Sequence, residues 1–392
     1  MREQPAPDDW FRFDVDGDER HYEGLAAKRR SCPVELVRPL LGTDEPMAVA
    51  YRYRDVVQIV SDESTFSLDK MGARYRPIFG TRSMLARPSH EHRHLRVKLA
   101  SAVGPRSLPA LRASIVEPVV DAVLDSVAAS RSFDVVADLA KVVPTKVIAR
   151  LLGAGEDEAP WLLQQTLAMV SYIDDPRVGL RAARALRRRL TELIAERRAA
   201  PGGDLVSALV DGSDGSVDDE IVDLLMLVCF AGTETTVPGL GSLFAALFLH
   251  VDQLDLVRRD PAFIWAAVDE TLRWESPVQL TFRSTVEAVE LSGVALPAGT
   301  TVLAHLGSAN RELPGVADGD RFDIRRPPHT AHLAFGTGVR RCVGMALARL
   351  EMAVVLERVL DAFPRLRAVD LAAVRISGQF VRSPRSLEVR AA

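Results

Sequence analysis

Residues 216–250, SVDDEIVDLLMLVCFAGTETTVPGLGSLFAALFLH, read as one long helix that is apolar on nearly every face. Ser216 and Asp219 resemble a capping box at its start. A helix of this kind either spans a membrane or runs through the middle of a large protein. The polar run Thr233, Glu234, Thr235 after Gly232, with Pro238 beyond it, argues for the second. Pro238 has no N–H for the carbonyl of Glu234, four residues earlier, so a kink or widened turn is expected. On this evidence alone Glu234 could simply face solvent on a bent helix.

A protein thick enough to enclose that helix needs a large core, and 392 residues with 47% hydrophobic positions supply one. No Gly/Ser/Pro-rich linker divides the chain, so residues 1–392 are expected to form a single domain after a short polar N-terminal segment of about 20 residues. The opening MREQPAPDDWFRFDVDGDER lacks the apolar stretch of a signal peptide or membrane anchor, which leads us to expect a cytoplasmic location. Forty-nine basic residues against fifty-three acidic ones give a net charge of -4, no footprint for nucleic acid or an anionic membrane. Helical periodicity recurs at 116–130, 144–153 and 181–200. Strand-like alternation is confined to 46–53 and to 282–306, where Pro and Gly punctuation suggests hairpins. The expected fold class is mainly α with small β-sheets.

The three cysteines, Cys32, Cys229 and Cys342, are too few and too far apart for a disulfide scaffold. Cys32 and Cys229 read as small buried hydrophobes. Cys342 differs, because it sits in HLAFGTGVRRCVGMALARLEMAVVLERVLDAF (332–363) among Gly336, Gly338 and Gly344, just ahead of a helix starting near Gly344. Glycines permit an unusual backbone path, and a helix N-terminus with Arg340 and Arg341 nearby favours thiolate over thiol. The sulfur is then a nucleophile or a metal ligand.

The run FGTGVRRCVG resembles the haem-binding signature of the cytochromes P450, met here by Phe335, Gly338, Arg340, Cys342 and Gly344. The resemblance extends from about residue 45 to the C-terminus and implies a P450 fold, one haem-wrapping globule with a long central helix. It makes Cys342 the axial ligand of haem b, with Phe335, Gly336, Gly344 and Ala231 also contacting the cofactor. AGTETT resembles the family's oxygen-activation motif, which assigns Glu234 and Thr235 to the acid and the alcohol beside bound O2. Glu270 and Arg273 in DETLRW match the family's Glu-x-x-Arg pair, with Arg321 of DRFDIRR expected as third partner. Spacing of three lets a carboxylate and a guanidinium pair on one helix face.

In HEHRHLRVKLASAVGP (90–105), alternate histidines His90, His92 and His94 would suit zinc on a strand, but on a helix they diverge, and Arg93, Arg96 and Lys98 repel a cation. The resemblance instead gives His92 and Arg96 to a haem propionate, together with Arg283 and Arg340. Charged propionates inside a protein need hydrogen-bonding cations. Many family members carry histidine at the Arg340 position; arginine keeps the charge.

No flavin or iron–sulfur module is apparent, so electrons are expected from NAD(P)H through a separate ferredoxin and ferredoxin reductase. Arg341, Arg349, Arg93 and Lys98 are candidates for a basic patch facing an acidic partner. By analogy with the family, substrate contacts fall to Leu227, Phe230 and Ala231, to Gln279 and Thr281, and to Phe380 and Val381. Residues 66–85 and 161–175 look like the loop and helix pair of an access lid. The implied activity is hydroxylation or epoxidation of a lipophilic small molecule, expected to be a natural-product intermediate, by a monomeric enzyme. Ring formation, coupling or desaturation by a P450 stays open. A peroxide-driven thiolate-haem enzyme and a non-catalytic haem-binding protein are less favoured, because neither needs the Glu234–Thr235 pair.

Overall fold

The two strand-like stretches of the sequence pair with each other. The computed structural model describes residues 20–38, 46–85, 87–128, 130, 132–172, 175–211, 215, 217–327 and 332–391. Ser216 of the expected cap, residues 1–19 of the polar N-terminal segment and residues 173–174 of the second lid segment lie outside these. Contacts divide the chain into two compact units, one made of Met1–Lys70, Gly241–Cys342 and Asp370–Leu387, the other of Met71–Leu240, Val343–Val369 and Glu388–Ala392.

The first unit is built on a five-stranded sheet. Its strands are β1 (Val34–Val37), β2 (Met47–Ala50), β3 (Phe66–Ser67), β4 (Leu280–Thr285) and, after the hairpin β5 (Val289–Leu291) and β6 (Val294–Leu296), β7 (Thr301–His305), in the order β1-β2-β7-β4-β3. Only β2 and β7 run parallel, with Met47 opposite Thr301. The β5–β6 turn needs left-handed backbone at Ser292 and Gly293, which the Ser-Gly pair supplies. Strand β2 is buried on both sides, and the helix Tyr53–Ser61 that follows it contributes Val56, Ile59 and Val60 to a core with Phe66, Val302 and Leu333. The strand expected over 46–53 therefore stops at Ala50 and turns into a helix at Tyr53.

Helix Phe263–Trp274 carries the Glu270–Arg273 pair wholly inside this unit. Arg273 donates from Nε and Nη2 to both Glu270 oxygens at 2.7 and 2.8 Å, and to the carbonyls of Asn310, Gly319 and Arg321. Arg321, however, contributes only its backbone; its side chain is 59% exposed beside Asp323. The third charged partner is Arg326, whose Nε reaches Glu270 Oε1 at 3.2 Å and whose other nitrogens hold the carbonyls of Ala317, Asp318 and Arg321. A buried ion pair is stable only when its remaining donors and acceptors are satisfied, and here the carbonyls of residues 317–321 do that.

The second unit is helical. Helices Glu117–Ala128, Val142–Leu152, Ala159–Val170, Pro176–Ala199, Asp218–Glu234 and Met345–Ala362 form it, with a three-stranded sheet from Ser132–Asp134, Glu388–Arg390 and Arg367–Ala368. The periodic segments of the sequence all become helices, and Gly153 ends Val142–Leu152 in left-handed conformation. Residues 69–79 of the first lid segment, read as loop, form the helix Asp69–Phe79 despite Gly72 and Pro77. The apolar run Asp218–Leu249 is long enough to cross a bilayer, but 56% of its most apolar window is buried in protein.

The Glu270 network yields the first prediction. Arg326→Ala should lower the free energy of unfolding in urea by about 2–4 kcal/mol, and Arg321→Ala by less than about 0.5 kcal/mol. Equal losses would restore Arg321 to the network.

Candidate functional site

Cys342 ends a loop whose path is set by its glycines. Gly336 (φ 65°) and Gly338 (φ 70°) occupy the left-handed region, and a Cβ on Gly338 would lie 3.0 Å from the Cα of Ser61. The backbone then doubles back, so that Cys342 N–H donates to Phe335 O at 2.9 Å and Arg341 N–H to Gly338 O at 3.2 Å. The base of the loop is fastened by Leu333 N–H to Asn310 Oδ1 at 2.6 Å, and Asn310 in turn donates to Ser276 Oγ at 2.7 Å. Of the three cysteines only Cys342 is exposed. Helix Met345–Ala362 begins three positions later, with Gly344 at its N-cap.

The same unit places two guanidiniums close together. Arg283, on β4, is 7% exposed, and its Nη1 donates to Phe282 O at 2.6 Å and Thr281 Oγ1 at 3.3 Å. Burial pulls its pKa down to about 10, Arg340 adds to the fall, and Glu63 offsets part of it. Arg340 forms an ion pair with Glu63. Two neighbouring guanidiniums, one of them buried, are suited to hydrogen-bonding a carboxylate such as a haem propionate. A soft sulfur held outward suits iron. The donor set of this unit therefore fits haem.

In the second unit the expected irregularity of the long helix is real. It breaks at Thr235 (φ −113°, ψ −36°), between Asp218–Glu234 and Thr236–Leu249. Thr235 Oγ1 donates to Ala231 O at 2.9 Å, and Thr233 Oγ1 to Cys229 O at 2.9 Å, so two hydroxyls take carbonyls in the turn before Pro238. Gly232 packs against Ile148: a Cβ there would lie 2.4 Å from Ile148 Cδ1, so any side chain would have to displace that of Ile148. Glu234 is half-buried, and desolvation pushes its carboxyl up to about 7. Ala231 is exposed, and Leu227 and Phe230 are half-buried, Phe230 edge-on to Phe79 at 5.1 Å.

His92 is buried at the N-cap of helix Arg93–Val103, and its carbonyl accepts from the N–H of Arg96, one turn on. His94 points elsewhere, to Glu220 at 3.1 Å. No group of three His, Cys, Asp or Glu side chains able to hold a metal ion occurs among the described residues.

One expected substrate contact is corrected. Gln279 has no exposed surface, and its amide donates to Ser276 O, Tyr22 OH and Glu275 Oε1. It faces a buried polar cluster and is not a pocket residue. Thr281 is half-buried beside Arg283, and Phe380 stacks on Phe282 with ring centroids 5.6 Å apart. Sequence reasoning missed Glu63, the countercharge of Arg340, and the whole Tyr22–Glu275–Arg382 cluster. These partners lie 107 to 277 positions apart, beyond any spacing rule.

Comparison with known proteins agrees with this chemistry. The family model described as Cytochrome P450 matches residues 262–385. The chain is 36% identical over 358 residues to Cytochrome P450 107B1 of Saccharopolyspora erythraea, covering 87% of each. It is also 36% identical over 285 residues to 6-deoxyerythronolide B hydroxylase of the same organism, covering 70% of this chain and 69% of that one. Among solved structures, the bacillaene polyketide synthase cytochrome P450 PksS of Bacillus subtilis 168 matches with a TM-score of 0.87 at 28% identity, over 96% of this chain and 98% of that one.

Proposed function

The chain belongs to the cytochrome P450 superfamily and is a P450 monooxygenase, and from this premise we propose that it hydroxylates or epoxidises a lipophilic natural-product intermediate in the cytoplasm. The electrons come from NAD(P)H through a separate ferredoxin and its reductase. The observation that carries the reading is the exposed Cys342 on its glycine-built loop, in the same unit as the buried Arg283 and its neighbour Arg340. The names of two similar proteins, a hydroxylase of 6-deoxyerythronolide B and a P450 of a polyketide synthase, support the substrate class.

The chemistry that haem supplies when bound is activation of O2, with thiolate ligation favouring cleavage of the O–O bond. Cys342 provides the sulfur, and Phe335, Gly336 and Gly344 shape its surroundings. Arg283 and Arg340 would bind a propionate, the family resemblance gives the same role to His92 and Arg96, and Ala231 would offer a small contact. We assign substrate contact to Leu227, Phe230, Thr281, Phe380 and Val381.

Glu234 and Thr235 supply protons. A carboxyl titrating near 7 can hold a proton and release it at neutral pH, which an ordinary glutamate cannot. Thr235 Oγ1 donates to Ala231 O and keeps lone pairs free to accept a proton from a neighbouring acid. Because the pKa of Glu234 is raised, its donor form dominates below about 7 and is lost as pH rises through that value.

Thr235→Ala should therefore retain haem but oxidise reductant without matching product, and wild-type coupling should fall as pH rises through about 7. Glu234→Gln should remove that pH step. Unchanged coupling in Thr235→Ala would contradict the assignment. Arg93 and Arg341 are exposed, and their reversal to glutamate should raise the KM for ferredoxin severalfold with carbon monoxide binding intact. An unaltered KM would remove them from the electron-donor surface.

A further inference from the structure

The hairpin Ile376–Ser377 and Ser383–Pro384 carries Phe380 and Val381 at its tip. The tip is a tight turn: Gly378 has φ 108°, and a Cβ there would lie 2.0 Å from Val381 O. Two backbone hydrogen bonds tie it to the segment after helix Phe263–Trp274, Gln279 N–H to Phe380 O at 2.8 Å and Arg382 N–H to Pro277 O at 2.9 Å. An isolated bridge joins Val278 to Val381.

These bonds are braced from behind by one side chain. Arg382, 4% exposed, lies across the neck of the hairpin, donating from Nη1 to Gly378 O at 3.0 Å and from Nη2 to Ile376 O at 3.2 Å. Its Nε donates to Glu275 Oε1 at 2.8 Å. The same oxygen accepts from Tyr22 OH at 2.8 Å, and Tyr22 OH accepts from Gln279 Nε2 at 3.2 Å. Tyr22 comes from the helix His21–Ser31, and the Arg311 guanidinium covers its ring at 3.7 Å from the centroid. Glu275 is 2% exposed and Gln279 has no exposed surface, so water cannot replace a lost partner.

We propose that Tyr22, Glu275 and Arg382 are a clamp of positioning residues that fixes Phe380 and Val381 and so sets substrate selectivity from a remote helix. The proposal rests on the reading that Phe380 and Val381 contact the substrate. Arg382 fixes the turn through its carbonyls, Glu275 fixes Arg382 in one rotamer, and Tyr22 holds Glu275. A guanidinium held through all three of its nitrogens has little freedom, so the clamp acts on the geometry of the turn.

The test uses the haem-loaded protein and two iron-binding probes, imidazole, which reports on the iron alone, and clotrimazole, whose aryl groups must fit the substrate pocket. Tyr22→Phe removes one hydroxyl and keeps the ring under Arg311; Arg382→Lys keeps the charge and loses the fork. Each should weaken clotrimazole about fivefold relative to imidazole, the effect of one buried hydrogen bond. Tyr22→Phe keeps the question answerable if Arg382→Lys folds poorly. A ratio unchanged in Tyr22→Phe, while Phe380→Ala alters it, would overturn the clamp and leave the pocket assignment standing. A ratio unchanged in both Phe380→Ala and Val381→Ala would overturn both.

Discussion

Iron–thiolate ligation asks a protein for a cysteine that is neither buried nor paired, on a backbone stiff enough to keep the sulfur in one place. The loop Leu333–Cys342 answers that demand locally. Left-handed glycines at 336 and 338 turn the chain, the Cys342-to-Phe335 bond closes it, and Asn310 anchors its start. The rest of the first unit follows from holding this loop. The helix Tyr53–Ser61 approaches Gly338 tightly at a left-handed position that disfavours a side chain, and Ser276 just past the Glu270–Arg273 helix braces Asn310.

Charge explains the next layer. A carboxylate-bearing cofactor can be taken inside only where cations can meet it, and the buried Arg283 stands beside Arg340, which pairs with Glu63. The Glu270–Arg273–Arg326 network is the opposite case, saturated by carbonyls and closed to any ligand. The contrast is one of setting: Arg273 spends its donors on Glu270 and on backbone carbonyls, whereas Arg283 is a buried guanidinium with a second guanidinium beside it. Glu234 makes a third type, a carboxyl whose pKa is raised by desolvation, which is a state suited to moving protons.

Features decided within a few residues were legible in the sequence. The helix periods, the break near Thr235, a hairpin within 282–306 and the glycine loop at Cys342 all follow from local rules, and the break and the loop were among the motifs that carried the family resemblance. Features decided across the chain were not. Arg321 and Arg326 stand five positions apart beyond the same helix, and only the fold reveals which guanidinium turns toward Glu270. Gln279 lies just before β4, so strand alternation does not govern it, and Tyr22 draws its amide inward. The helix Asp69–Phe79 forms against the propensities of Gly72 and Pro77, a tertiary override of local preference.

All of this depends on Cys342 ligating iron as a thiolate. The direct measurement is the absorption spectrum of the reduced protein under carbon monoxide, in wild type and in Cys342→Ala. Thiolate ligation predicts the strongly red-shifted Soret band in the first and its loss in the second. A spectrum of the histidine-ligated type in wild type, or a red-shifted band that survives in Cys342→Ala, would contradict the account.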